Sequence, residues 1–179
     1  MRKTILALTG ALLLAPPALA QAPAVAPVGH ASPATQGATT AQAFVENAAR
    51  SDMYEIQAAQ IALDRSHERA VQRFARRMIK DHTATTDKLM ANLPAGLIIP
   101  ANLDESHSDM LGDLKSAAPE QFDRRYAAQQ VSAHEAALTL LKDYAKAGDN
   151  PVLKRIAAKT VPMVKMHLRM AHKLPGAPQ

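Results

Sequence analysis

The fold is decided by residues 71–93, which read VQRFARRMIKDHTATTDKLMANL. Apolar side chains recur every three or four residues along this stretch, the spacing that places them on one face of an α-helix. Charged residues fill the opposite face, so the stretch predicts an amphipathic helix that packs against other helices. His82 falls in the middle of the apolar face, whose other members are Val71, Phe74, Ala75, Met78, Ile79, Leu89 and Leu93.

The same periodicity continues on both sides of this helix. Thr39 or Thr40 is expected to cap a first helix, and Ser66 is expected to cap the second. Pro94 and Gly96 then stop the second helix. In all, the pattern predicts helices over about residues 41–65, 67–93, 103–114, 119–147 and 151–173.

The connections between these helices predict how they are arranged. The tight turns at Ser66 and at Gly148–Asn150 make two antiparallel hairpins, and the longer segment 94–118 joins them. Two hairpins with one crossover form an antiparallel four-helix bundle of the ferritin-like type, here with a short extra helix in the crossover. No stretch shows the alternation of apolar and polar residues that is typical of strands. We therefore expect an all-α protein.

Residues 1–20 are predicted to be a cleavable signal peptide. Arg2 and Lys3 precede an apolar run that is too short for a membrane anchor, and Ala18-Leu19-Ala20 supplies a cleavage site before Gln21. We expect a flexible tether rich in Ala and Pro at 21–40, the bundle at 41–174 and a loose tail at 175–179. The mature protein is then expected in the periplasm, and it has no cysteine for a disulfide bond.

Charge and aromatic content argue against a nucleic-acid partner. The net charge is +5, of which Arg2 and Lys3 contribute two, and aromatic residues make up 3% of the chain with no tryptophan. No platform for stacking bases is visible. A basic ridge opposite His82 is either a solvated face or a weak contact with an anionic envelope surface. This ridge comprises Arg65, Arg69, Arg73, Arg76 and Lys80.

Four predicted helices each turn one candidate metal ligand towards the interior, namely Glu55, His82, His134 and His167. Burying such groups costs several kcal/mol unless they find polar partners or a metal ion. His134 lies nearer the edge of its apolar stripe than the others do. His107, on the crossover helix, is either a fifth member of the cluster or a hinge contact.

Three imidazoles and one carboxylate favour zinc or copper over magnesium or calcium. A di-iron site is disfavoured, because Ile79 and Val164 stand where its two Glu-x-x-His motifs require glutamate. The alternative is a cluster without metal, bonded internally and to buried water. In that alternative, Asp52, Tyr126 and Gln130 are the polar partners expected.

Asp81 has two interpretations. Its carboxylate either orients an imidazole of the cluster from outside the ligand set, or it pairs with Arg77 or Arg76 at the surface. Tyr126 and Gln130 are expected in the same supporting layer, on the row that leads to His134.

Several segments resemble the bacterial domain of unknown function 4142 family. They include Ser51-Asp52-Met53-Tyr54-Glu55-Ile56, Phe74-Ala75 through Asp81-His82, His134-Glu135, and Val161-Pro162 followed by His167-Leu168. The resemblance covers about residues 41–174. It implies a ferritin-like fold, secretion and a bacterial envelope setting, and it brings no catalytic role to transfer to these residues.

Three functions remain open from the sequence. The first is a non-enzymatic periplasmic bundle that binds a transition metal or a partner in envelope stress tolerance. The second is a small metalloenzyme with a histidine-rich centre and one open coordination position. The third is a purely structural or partner-binding module that holds no metal.

Overall fold

The structure, a computed structural model, describes residues 39–178 and consists of five α-helices. They are α1 (Ala41–Arg65), α2 (Arg69–Ala91), α3 (Glu105–Ser116), α4 (Pro119–Ala147) and α5 (Pro151–Ala171). The prediction of an all-α fold is confirmed. The predicted signal peptide and most of the predicted tether lie outside the described residues. None of the five helices is long and apolar enough to cross a membrane.

The helices pack as two hairpins joined by one crossover. α1 pairs with α2, and α4 pairs with α5. α3, the crossover helix, lies against α1 and α4, while α2 and α5 meet along the opposite side of the bundle. This is the ferritin-like topology that the turn positions predict.

Side-chain caps set most of the helix starts. Thr40 accepts a hydrogen bond from the Ala43 N–H at the start of α1, and Asp104 accepts one from the His107 N–H at the start of α3. Asn150 accepts bonds from the first turn of α5. Each cap satisfies an N–H group that has no partner within its own helix.

Ser66 does not cap α2, contrary to the sequence prediction. Its own N–H still donates to the carbonyl of Ala62, so Ser66 belongs to the end of α1. The chain needs two more residues to reverse direction, and α2 begins after Glu68, whose side chain makes no capping bond. The Ser66 hydroxyl instead accepts a hydrogen bond from the Glu68 N–H within the turn.

Arg65 does not belong to a solvated basic ridge. Its guanidinium donates to the backbone carbonyls of Leu114 and Lys115, in the last turn of α3, and of Ala117, its C-cap. It also lies over the ring of Phe122, 5.0 Å from the ring centroid. Arg65 therefore ties the end of α1 to the end of α3, where the last carbonyls have no helical N–H to bond.

Residues 172–178 follow α5, and the first of them form turns against the bundle. Leu174 is buried, and Ala177 packs against the apolar core. Gly176 has a φ of +74°, and a Cβ there would lie 3.0 Å from Cβ of Arg124 on α4. The tail therefore turns back towards the start of α4.

The apolar core has two halves with polar side chains between them. One half surrounds Phe74, Phe122 and Tyr126, and the other surrounds Phe44 and Tyr144. The four long helices, α1, α2, α4 and α5, form the bundle, and each contributes side chains to both halves of the core. On each of them, an inward polar side chain lies where its contribution to one half ends and its contribution to the other begins. These side chains are Glu55, His82, His134 and His167, which together form the polar layer.

Replacing Gly148 with alanine is expected to destabilise the protein by about 1–3 kcal/mol through overpacking. A Cβ at Gly148 would lie 2.6 Å from the ring of Tyr144. That ring is fully buried and stacks on Phe44 at 4.1 Å, so it has no room to move away. Urea unfolding measures the change in the free energy of unfolding.

Gly112 is the matched control for this substitution. It lies within α3, and an added Cβ there would have no neighbour within 4 Å. Alanine at Gly112 should stabilise the protein by roughly 0.5–1 kcal/mol, since glycine is a poor helix former. Equal stability of the wild type and the Gly148→Ala variant would contradict the steric argument.

Candidate metal centre

Three histidine side chains from three helices converge in the polar layer. His82 on α2, His134 on α4 and His167 on α5 each have a ring nitrogen within 4.8 Å of a ring nitrogen of the other two. The ring centroids are 5.4–5.8 Å apart. All three side chains are buried, with 0–4% of each residue exposed. This group is called the histidine triad below.

Each imidazole of the triad is held by one of its two nitrogens. Nδ1 of His82 bonds to Oδ1 of Asp52 at 2.8 Å, and Nδ1 of His134 bonds to the carbonyl oxygen of Gln130 at 2.7 Å. Nε2 of His167 bonds to Oδ2 of Asp81 at 2.9 Å. Since these partners are acceptors, the bonded nitrogen of a neutral ring carries the proton. The other nitrogen then carries a lone pair.

Those other nitrogens are the unusual feature of the site. Nε2 of His82, Nε2 of His134 and Nδ1 of His167 are buried and have no hydrogen-bond partner among the described residues. Buried polar atoms normally have partners, so three such atoms in one cluster require an explanation. An imidazole held at one nitrogen by a carboxylate or carbonyl, with the other nitrogen free, is the usual form of a metal-ligating histidine.

Burial keeps two of the three rings neutral. It lowers the pKa of His134 to about 3, with a further contribution from the nearby His82. It also lowers the pKa of His167 to about 4, although the hydrogen bond to Asp81 opposes the change. Both rings are therefore uncharged at neutral pH, which is the form in which imidazole binds a metal.

His82 behaves differently because it faces a carboxylate. Burial opposes the charged ring, but the hydrogen bond and the charge of Asp52 outweigh it and raise the pKa of His82. The hydrogen bond to Asp52 therefore stabilises the protonated form of the His82 ring. Asp52 is further fixed by the hydroxyls of Thr85 and Thr86, which donate to its Oδ2 at 2.9 and 3.2 Å.

Glu55, the fourth predicted ligand, lies beside the triad. Its Oε1 is 3.6 Å from Nδ1 of His134, and its Oε2 has no hydrogen-bond partner among the described residues. Burial raises the pKa of this carboxyl group. The mutually close ligand atoms come from the three histidines and not from Glu55.

Comparison with protein families identifies the chain. The family model described as Domain of unknown function (DUF4142) matches residues 26–174. The chain belongs to the DUF4142 family. This match confirms the resemblance seen in the sequence segments, and it also covers part of the chain before α1.

Among solved structures, this DUF4142 protein is similar to one described as CopM in the Cu(II)-bound form. The TM-score is 0.63 at 18% sequence identity, and the match covers 75% of this chain and 94% of CopM. At that identity the likeness shows a shared fold. No curated protein matches the sequence closely enough to count as a relative.

Among the side chains predicted in the supporting layer, Asp81 is the one that bonds directly to an imidazole of the triad in the described structure. Oδ2 of Asp81 accepts hydrogen bonds from both Arg77 and His167, so both interpretations of Asp81 hold together. Against the effect of burial, these two partners lower the pKa of Asp81. The imidazole that Asp81 orients is on α5, not the adjacent His82.

Tyr126 and Gln130 are both fully buried on α4. The Tyr126 hydroxyl and both amide atoms of Gln130 have no hydrogen-bond partner among the described residues. Gln130 acts on the triad through its backbone carbonyl, which holds His134. The periodicity of α4 predicts that these two side chains lie close to the triad, but it carries no information about a contact made by the backbone.

His107 lies outside the triad. Its Nδ1 bonds to Asp104 at 2.7 Å, and its ring packs against Tyr54 with the centroids 5.5 Å apart. His107 therefore packs the first turn of α3 against α1. Asp52 has a larger role than the sequence analysis gave it, and the available signal was its position three residues before Glu55 on the same helix face.

Proposed function

We propose that this protein binds one copper ion per chain through His82, His134 and His167, as a non-enzymatic metal-binding protein of the bacterial periplasm. The three inward nitrogens without hydrogen-bond partners carry the proposal, because they form a buried set of lone pairs from three helices. Glu55 is the fourth ligand in this proposal. Its buried oxygen without a hydrogen-bond partner would also offset part of the charge of the ion.

The choice of copper rests on ligand chemistry and on the structural neighbour. Imidazole nitrogen suits both copper and zinc, and copper binds more tightly to nitrogen ligands of this kind. The similar fold of CopM was solved with Cu(II) bound. Asp52 and Asp81 would orient two of the ligands, and such outer contacts commonly change metal affinity by about 10–100-fold.

An apolar cleft supports access of an ion to the buried triad. All four bundle helices line it, and His82 and Asp52 form part of its wall. Lys88 is exposed at its edge, and Met163 lies on the α5 side. The cleft encloses about 570 Å³ including its open mouth. An ion could therefore approach His82 without unfolding of a helix.

We expect Cu(II) to raise the melting temperature of the metal-free mature chain, residues 21–179, purified without a histidine tag. Binding to the native state alone adds about 2.7 kcal/mol when free metal is a hundredfold above Kd. For a domain of this size, that corresponds to roughly 5–10 °C. Calorimetric titration should give one copper per chain. Affinity should fall as the pH falls through the raised pKa of His82, since that ring must lose a proton to bind metal.

Zinc is the comparison metal in the same titration. A larger stabilisation by zinc than by copper would support the proposed binding site but identify zinc as its metal. Identical melting curves with and without either metal, up to millimolar concentrations, would contradict metal binding and favour the purely structural module.

A further inference from the structure

The basic residues of the protein are concentrated on two helices. α2 has six basic and two acidic residues, and α5 has five basic residues and no acidic residue. α1 and α3 together have three basic and seven acidic residues, of which Asp52 and Glu55 are buried. Since α3 lies over α1 and α4, the crossover side of the bundle is acidic and the α2–α5 side is basic.

The cations of the α2–α5 side are free to meet a partner. All six basic residues of α2 and four of the five on α5 are exposed. Arg77 pairs with Asp81, and Lys88 lies at the edge of the cleft. The other eight form no ion pair with another described residue. On α2 their spacing of three or four residues makes one stripe, directly opposite the buried face. These eight residues, called the basic face below, are Arg69, Arg73, Arg76, Lys80, Arg155, Lys159, Lys165 and Arg169.

Methionine side chains line the seam between the two helices. Met163, Met166 and Met170 follow one stripe of α5 and are each partly exposed. Sδ of Met166 lies 3.9 Å from the guanidinium of Arg77 on α2, which places this stripe at the seam. The basic face therefore flanks an apolar strip of flexible side chains, the arrangement of proteins that lie on a lipid surface.

The aromatic residues argue against a nucleic acid as the partner. All three tyrosines and all three phenylalanines of the chain are buried, and the chain has no tryptophan. No ring remains at the surface on which bases could stack. Anionic headgroups need only cations near the membrane plane, which the basic face supplies.

We propose that the basic face binds the surface of an anionic lipid bilayer, with the methionine strip against the boundary of the acyl chains. The interaction does not depend on the metal site, and it is peripheral, since none of the described helices could span a bilayer. Each cation near such a surface contributes about fivefold to the binding constant at moderate ionic strength. Several acting together give reversible binding that salt weakens.

Co-sedimentation with vesicles tests the proposal on the mature chain, residues 21–179. The apolar segment of the signal peptide would itself bind lipid, so it must be absent. We expect binding to vesicles of equal parts phosphatidylglycerol and phosphatidylcholine, and at least tenfold weaker binding to pure phosphatidylcholine vesicles. The double variant Arg73→Glu, Arg76→Glu should bind the anionic vesicles at least twentyfold more weakly than the wild type.

The matched control is Lys142→Glu with Lys146→Glu, two exposed residues of α4 outside the basic face. Both double variants change the net charge by the same amount. The control should keep vesicle binding within about threefold of the wild type. Lys142 and Lys146 would attract the vesicle only from a distance, and salt screens such long-range attraction. Equal losses in the two variants, equal binding to both vesicle types, or binding only to a DNA duplex would overturn the proposal. Circular dichroism melting confirms that both variants are folded.

Discussion

Replacing His134 with leucine is expected to abolish the copper-dependent rise in melting temperature while the metal-free protein stays folded. His134 supplies one of the three inward nitrogens without hydrogen-bond partners, so its loss leaves two ligands from the triad. Its side chain makes one hydrogen bond within the part of the chain that the structure describes, to the backbone carbonyl of Gln130 in its own helix. Leucine fills the space of the ring, at the cost of the contact between Nδ1 of His134 and Oε1 of Glu55, which are 3.6 Å apart. Thermal unfolding with and without copper measures the difference.

His82→Leu should also remove the copper response, but at a larger cost to the metal-free protein. It leaves the buried Asp52 with only its two threonine donors, a loss of about 1–3 kcal/mol. His107→Leu is the control, because His107 is a buried histidine outside the triad. That variant should keep the full copper response. A full response in His134→Leu would show that copper binds elsewhere on the protein.

Replacing Phe74 with alanine should destabilise the metal-free protein by about 3–5 kcal/mol. Phe74 is 2% exposed, and its ring meets the edges of Tyr126 and His134, with both pairs of centroids 6.2 Å apart. The helices around it are fixed by two hairpins and a crossover, so they cannot close fully over the cavity. Urea unfolding gives the change in the free energy of unfolding.

Phe74→Leu separates the effect of the ring from that of burial. Leucine keeps most of the buried apolar volume and should cost clearly less than alanine. If alanine and leucine destabilise the protein equally, or if alanine costs less than about 1 kcal/mol, then Phe74 is not a main contact of this half of the core.

Periodicity in the sequence predicts the helices because it fixes which way each side chain points. The inward direction of Glu55, His82 and His167 follows from the apolar residues around them. His134 looked peripheral because its apolar stripe is narrow. It is buried because α4 packs against α1, α3 and α5, so a wider part of its circumference is covered.

The partners of the triad could not be predicted in the same way. Whether Asp81 reaches His167 depends on the heights of α2 and α5 along the bundle axis, which periodicity does not determine. The contact of Arg65 with three carbonyls depends likewise on where the crossover returns. Such contacts join residues far apart in the chain, and no local pattern specifies them.

The polar layer between the two apolar halves also has a consequence for how the helices align. Ten of the buried apolar residues are alanines, whose small side chains do little to oppose the sliding of a helix by one turn, about 5.4 Å. Such a slide would move an imidazole or a carboxylate from the polar layer into an apolar half, at a cost of several kcal/mol. The four inward polar residues therefore help to select the register of the bundle, even before any ligand binds.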